Sequence, residues 1–302
     1  MDDLRERIVG CALGLALGDA LGAPFESRRR EEIPVPLPAF EPSSSDGPPG
    51  AWTDDTALAR NLWRSLAEHG DLDTADVLAR HLVWFATDPP DVGDLTRRVL
   101  SGIRDGVPDA PRRHVEERGP EVSATNGSVM YCAPLGAFRS LRPAALVEEA
   151  PALSAITHWD ERCRTACLAV TLVAASLVRG EDPHQAVEGA VASVLEREGG
   201  EELEYLVAEA GRARRIDGPD MGFTLFCAGI ALQVAAEDPG FEEGLRHVVS
   251  LGGDTDTNAA VTGALLGARQ GRPGLPSAWL EKLVDRAAIE AEAEALARAA
   301  TA

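Results

Sequence analysis

The stretches Thr53-Asp54-Asp55-Thr56 and Asp254-Thr255-Asp256-Thr257 lie about 200 positions apart and carry nearly the same lettering. Each crowds two carboxylates and two hydroxyls into four residues. One such knot has an ordinary role: a threonine caps a helix, and acids in the first turn complement the helix dipole. Thr53 suits that role in the first knot, and Asp254 or Thr255 suits it in the second. A cap uses one side chain, and the dipole is satisfied by one or two acids, so four carboxylates exceed the need. If the two helix starts meet, the carboxylates repel one another or protonate, with raised pKa values. A divalent cation resolves that conflict. Oxygen ligands without histidine or cysteine suit Mg2+ or Mn2+, and the number of acids matches two ions about 3.5–4 Å apart.

The elements that must carry these knots read as helices. Leu58, Leu62 and Leu66 repeat at i+4 behind the first knot. Residues 161–179, ERCRTACLAVTLVAASLVR, form an Ala/Leu/Val run with polar ends, and HQAVEGAVASVLERE, EELEYLVAEAGRAR, GFTLFCAGIALQVAAE and AWLEKLVDRAAIEAEAEALARA continue the pattern. No segment alternates with period two, and aromatic residues make up only 5% of the chain. The expectation is an all-α fold, a compact bundle of ten or more helices forming one domain over 1–302. Gly10, Gly14, Gly18 and Gly22 form an i, i+4 stripe on the first helix. At about 1 kcal/mol of lost helix propensity each, the stripe implies that another helix presses on this face. Residues 31–50 and 105–126, broken by proline, glycine and serine, are expected to be non-helical loops.

The bulk properties restrict the function. The 302 residues and 45% hydrophobic content suffice for a sizeable core. The formal net charge is −20 and the isoelectric point about 4.7, so general nucleic-acid binding by charge is excluded. The five cysteines, Cys11, Cys132, Cys163, Cys167 and Cys227, are odd in number and sit in apolar runs, which points to buried thiols in a reduced, intracellular protein. Cys163 and Cys167 stand at i, i+4 near His158, but no second Cys/His pair closes a zinc site. The apolar run IVGCALGLAL follows MDDLRER, whose three acids oppose a signal-peptide reading, and it is too short to span a bilayer. A buried first helix in a cytoplasmic, non-membrane protein is expected, acting as a monomer.

The segments GCALGLALGDALGAPFE, WTDDTALA, NGSVM, ITH and GGDTDTNAAVTGALLGA occur in this order over residues 10–268. Together they resemble the ADP-ribosylglycohydrolase family, which includes the dinitrogenase-reductase-activating glycohydrolases. The resemblance implies an orthogonal all-helical bundle, a dinuclear Mg2+ or Mn2+ centre, and hydrolysis of the bond joining ADP-ribose to an acceptor. By motif position it implies Thr53, Asp54 and Asp55, with Asp254, Asp256 and Thr257, as metal ligands. Thr255 is a turn or cap residue. Glu26 matches a glutamate beside the metals that is proposed to act in catalysis, and Glu26 or a ligating aspartate such as Asp55 would handle the proton. Asp19 reads as a buried helix-end acid bonded to backbone.

The middle motifs are expected to hold ADP-ribose. Asn126-Gly127-Ser128 opens a helix whose N–H groups suit a phosphate or ribose oxygen, and His158 resembles the family's histidine near the ligand. Two departures from the family pattern bear on the acceptor. Tyr131 follows Met130 where many members have arginine, and Ala124 and Thr125 stand where some carry an acid, Glu121 being the nearest carboxylate. The expected partner is an ADP-ribosylated protein or small molecule. Two rivals remain at this point: a metal hydrolase of another small phosphorylated nucleotide, and a non-enzymatic binder of ADP-ribose.

Overall fold

A computed structural model describes residues 1–41, 47–119 and 122–302. Fifteen α-helices run through the described residues, which contain no strand and only two isolated bridge pairs. Helix α1 (Asp2–Gly22) is buried without interruption from Ile8 onward. Each of its leucines Leu13, Leu15, Leu17 and Leu21 is fully enclosed, and each such burial stabilises the fold by about 1.5–3 kcal/mol. This helix is long and apolar enough to cross a membrane by length and composition, but its apolar window is entirely buried inside the protein.

The glycine stripe of α1 meets α13 (Thr255–Gln270), which runs antiparallel to it. A methyl group placed on Gly10, Gly14, Gly18 or Gly22 would come within 2.3, 2.1, 1.9 and 2.2 Å of the carbonyl oxygens of Gly267, Gly263, Ala259 and Thr255. The α13 stripe is reciprocal, since a methyl on Gly263 or Gly267 would strike the carbonyls of Gly14 or Gly10 at 2.2 and 2.0 Å. The two backbones are therefore in direct contact along four turns. The stripe expected from the sequence to take another helix does so, and its partner is the helix that begins with the second knot.

Helix α2 (Asp54–His69) begins with the first knot and ends at Gly70, whose left-handed φ of 68° lets its N–H close onto the Leu66 carbonyl. Its start lacks a side-chain cap from Thr53. Asp19 of α1 caps it instead, accepting from the Thr53 and Thr56 amides at 3.0 Å each and from their hydroxyls at 3.0 and 2.5 Å. The reading of Asp19 as a buried acid bonded to backbone is thus met, with the backbone supplied by α2. One buried carboxylate bolts the first knot to the α1–α13 pair.

The helices further along the chain include α3 (Thr74–Phe85), α4 (Asp94–Arg104), α6 (Val129–Phe138), α8 (Glu161–Val178), α11 (Thr224–Glu237) and α15 (Arg286–Ala300). Residues 31–50 form no α-helix among those described, and Ile33, Leu37 and Phe40 anchor them in the core. Residues 42–46, within that stretch, lie outside the described residues. The expectation for 105–126 is corrected: α5 (Ala110–Arg118) occupies part of it. Pro111 sits in the first turn of α5, where the missing N–H costs nothing and the fixed φ favours the helix. Glu121 lies outside the described residues. All five cysteines are buried and free.

Candidate active site

The turn that leads into α13 takes its shape from two glycines. Gly252 and Gly253 have φ of 73° and 81°, a region that L side chains rarely adopt. Their backbone pairs with the chain that follows α1: the Ser27 amide donates to the Gly253 carbonyl at 2.8 Å, and the Gly253 amide donates to the Arg28 carbonyl at 2.7 Å. Glu26, at the end of the first motif, is thereby fixed beside the second knot.

The two knots do meet. The Thr257 hydroxyl donates to Asp55 Oδ2 at 3.3 Å, across 202 residues of sequence. Around this contact lies a cavity of about 430 Å3 lined by Glu26, Asp54, Asp55, Asp91, Asp94, Asp254 and Asp256, with Thr257, Asn126, Gly127 and His158. Glu26, Asp91 and Asp256 each bring one carboxylate oxygen within 4.8 Å of the others. Asp54 Oδ2 accepts the Gly93 amide at 3.2 Å, and Asp254 Oδ2 accepts the Asn126 amide group at 2.9 Å. Asp55 Oδ1 and Asp256 Oδ1, one from each knot, are buried with no hydrogen-bond partner. An unsatisfied buried acceptor costs about 1–3 kcal/mol, and more when it is charged.

The electrostatics follow from this crowding. Burial, followed by the neighbouring acids, pushes the carboxyls of Asp54, Asp55 and Asp256 well above the usual carboxylate range. Glu26 is pushed up to about 7 by burial and then by Asp254, Asp91 and Asp19. Asp19 rises to about 6 through burial, held back by its four hydrogen bonds from Thr53 and Thr56. These residues satisfy the requirements for divalent cations: all donors are oxygen, like charges converge without a cationic side chain among the lining residues, and two buried oxygens lack partners.

The wall opposite the knots is built from α6 and the turn before α8. Ser128 stands at the N-cap position of α6 without a side-chain capping bond, so the expected helix start at Asn126-Gly127-Ser128 is present. The Asn126 amide and the Ala124 carbonyl pair with Gly222 and Thr224, pinning the loop before α11 to the cleft. His158 is buried between Thr157 and Thr125, whose hydroxyls lie 2.8 Å from Nδ1 and 3.0 Å from Nε2. Burial lowers its pKa to about 3, so the ring is neutral. Gly127 makes room for it, since a methyl there would stand 2.8–2.9 Å from the imidazole.

Of the residues singled out from sequence, Glu26, Asp54, Asp55, Asp254, Asp256, Thr257, Asn126, Gly127 and His158 line one cavity. Thr53 sits behind it, with its hydroxyl on Asp19 and 3.4 Å from Asp55 Oδ2. Two placements are corrected. Ser128 is fully buried, with its hydroxyl 2.9 Å from that of Ser154, and it does not line the cavity. Tyr131 is fully buried edge-on against His81, with ring centroids 5.3 Å apart, and faces the core rather than the ligand cleft. Sequence reasoning missed Asp91, Asp94 and Thr96, which arrive on the loop between α3 and α4 and on the first turn of α4. The segment Thr87–Asp94, TDPPDVGD, carried a signal in its three acids around a Pro-Pro break.

An all-helical scaffold that converges carboxylates from two helix starts on one cleft defines a class of hydrolase, and comparison with known proteins narrows it. The family model described as ADP-ribosylglycohydrolase matches residues 1–302. The chain is 31% identical to the ADP-ribosyl-[dinitrogen reductase] glycohydrolase of Rhodospirillum rubrum, over 93% of this chain and 91% of the relative. It is 27% identical to the ADP-ribosylarginine hydrolase Tri1 of Pseudomonas putida, over 92% of this chain and 74% of the relative. It is 26% identical to the human ADP-ribosylhydrolase ARH3, over 90% of this chain and 88% of the relative. A solved structure, an ADP-ribosylglycohydrolase-related protein complex, superposes with a TM-score of 0.82 at 32% identity, covering 99% of this chain and all of that one. The chain belongs to the ADP-ribosylglycohydrolase family and is a hydrolase acting on glycosyl bonds.

Proposed function

We propose that the chain uses two divalent cations, Mg2+ or Mn2+, to release ADP-ribose from an ADP-ribosylated arginine side chain. The observation that carries the metal dependence is the pair of buried, unpartnered oxygens, Asp55 Oδ1 and Asp256 Oδ1, one from each knot in the same cavity. Asp54, Asp55, Asp254, Asp256 and Thr257 would hold the cations, with Thr53 in reserve behind Asp55. Bound cations supply an electrophilic anchor for ribose hydroxyls and a water of lowered pKa. Asn126, Gly127 and His158 line the part of the cleft that receives the rest of ADP-ribose. A neutral His158 binds oxygen acceptors or donors without adding charge. Glu26, half-buried and with its carboxyl raised to about 7, is suited to carry a proton near neutral pH. An oxocarbenium-like charge developing on the ribose would be offset by the carboxylates around it.

The acceptor follows from charge. Beyond the four aspartates assigned to the cations, Glu26, Asp91 and Asp94 line the cleft, and a guanidinium leaving group is the acceptor such a wall favours. The name of one relative, an ADP-ribosylarginine hydrolase, supports the same direction. The test is a panel of arginine- and serine-linked ADP-ribosyl peptides and O-acetyl-ADP-ribose, each with Mg2+, Mn2+ or EDTA, reading out free ADP-ribose. We expect turnover of the arginine-linked peptide only with a cation. Asp55→Asn and Asp256→Asn should each lower it by about a hundredfold or more, since changes outside the ligand shell alone cost about 10–100-fold, with the helical CD spectrum retained. Undiminished turnover in EDTA or in either variant refutes the metal-dependent reading. Faster cleavage of the serine linkage refutes the acceptor.

A further inference from the structure

A second cavity, of about 550 Å3, lies on the far side of α2 from Asp55 and shares no lining residue with the candidate active site. Its walls come from the residue preceding the first knot, from α2 and from α3. Trp52 and Trp84 both face it, each partly exposed. Arg60, Arg64 and Arg80 line it with Asp76, which together with Glu68 holds Arg80 at 2.6 Å each.

The groups are held in place. Arg60 is bound through Nε and Nη2 by Glu292 of α15 at 3.0 and 2.8 Å, and its guanidinium stacks over the Trp52 ring at 5.2 Å. The same Glu292 also accepts from Trp63 Nε1 and from Arg64, and Asp285 stands 3.6 Å from Arg60, so Arg60 is the more fully neutralised of the two guanidiniums. Arg64 spends one N–H on Glu292 among the described residues and is 41% exposed, which leaves most of its donor fork for a ligand. Asn61, nearly buried, donates its amide to His81 at 3.2 Å and presents the rest of its polar head where it lines the cavity.

Two indole faces, a stacked guanidinium, an amide and a free cationic fork are the elements that recognise a flat heterocycle carrying an anionic group. The volume lies in the usual range for a small-molecule site. We propose that this cavity binds a nucleoside monophosphate, with the base against Trp52 and Trp84 and the phosphate on Arg64. The inference is independent of the metal-dependent reading of the other cleft.

The test titrates AMP, adenosine and ribose 5-phosphate into the full-length protein, followed by calorimetry and tryptophan fluorescence. It compares wild type with Trp84→Ala, Arg64→Ala and Asp256→Asn. AMP should bind wild type and Asp256→Asn equally, with quenching. Trp84→Ala and Arg64→Ala should each weaken AMP binding by about tenfold or more while ADP-ribose release stays at the wild-type rate, which also shows that both variants are folded. Adenosine and ribose 5-phosphate should each bind about tenfold or more weakly than AMP. The proposal is overturned by any of four results. These are no heat or quench with millimolar AMP, AMP affinity unchanged in both cavity variants, loss of binding in Asp256→Asn, or ribose 5-phosphate binding as tightly as AMP.

Discussion

Gly18→Ala tests whether the helix pair, rather than the acidic loops, sets the geometry of the active site. The added methyl would lie 1.9 Å from the Ala259 carbonyl oxygen, and real Cβ contacts do not come below 3.0 Å. The helices must therefore part by about 1 Å at this level. No side chain can rotate away to absorb the change, because the struck atom is backbone and the neighbouring contacts at Gly14 and Gly22 are equally close, at 2.1 and 2.2 Å. Overpacking of this kind costs about 1–3 kcal/mol, and a rigid site belongs at the top of that range. The better helix propensity of alanine returns about 1 kcal/mol, leaving a loss of about 2 kcal/mol. Ala259 is three residues beyond Asp256, so the same shift displaces the second knot, and a 1 Å misplacement costs about a hundredfold in rate. Gly10→Ala supplies the contrast. Its methyl would meet the Gly267 carbonyl at 2.3 Å, but the second knot lies at the level of Gly22, about 18 Å further along α1. It should lose similar stability and keep the rate of ADP-ribose release within about twofold. Gly189→Ala, on an exposed face of helix α9 (Pro183–Val194) with nothing within 4 Å, should gain about 0.5–1 kcal/mol. The assays are the urea midpoint at constant m and release of ADP-ribose. Wild-type stability and full activity in Gly18→Ala would refute the reasoning.

Three further outcomes follow from the site. In EDTA, the raised carboxyls of Asp54, Asp55, Asp256, Asp19 and Glu26 make the native state bind more protons than the unfolded chain above about pH 4. Their contribution is present at low pH and is lost as pH rises through the folded values, about 6 for Asp19 and about 7 for Glu26. The melting temperature should fall over that window, fall less in Asp55→Asn, and recover with saturating Mn2+; a flat profile would contradict the crowding. Gly127→Ala should lower kcat/KM about tenfold or more by forcing the His158 ring aside, and His158→Gln should leave any inflection between pH 5 and 8 in place, because the ring is already neutral there.

The pairing of the two knots was legible because their acids exceed what helix starts require, and the glycine stripe was legible because only a pressing backbone justifies its cost. Both signals are local excesses, and a local excess can be read from sequence. Asp91 stands among three acids around a Pro-Pro break, which marks a loop without saying which acid reaches the cleft. It reaches the cleft on a loop whose path is set at a distance, by the Gly93 amide on Asp54 and by Val92 packed with Phe85 and Leu100. Periodicity describes the helices on either side of that loop and says nothing about where its tip lies. Tyr131 fails for a different reason. The motif order places it beside the ligand residues, but α6 turns by about 100° per residue. Met130 therefore lines the cleft while Tyr131, one step further round, faces His81 in the core. A substitution there acts on packing, so the difference from an arginine-bearing relative cannot choose the acceptor by direct contact. Direct contact with an acceptor is open only to residues that do line the cleft, and Glu26, Asp91 on the loop between α3 and α4, and Asp94 at the start of α4 are the acids there that neither knot supplies.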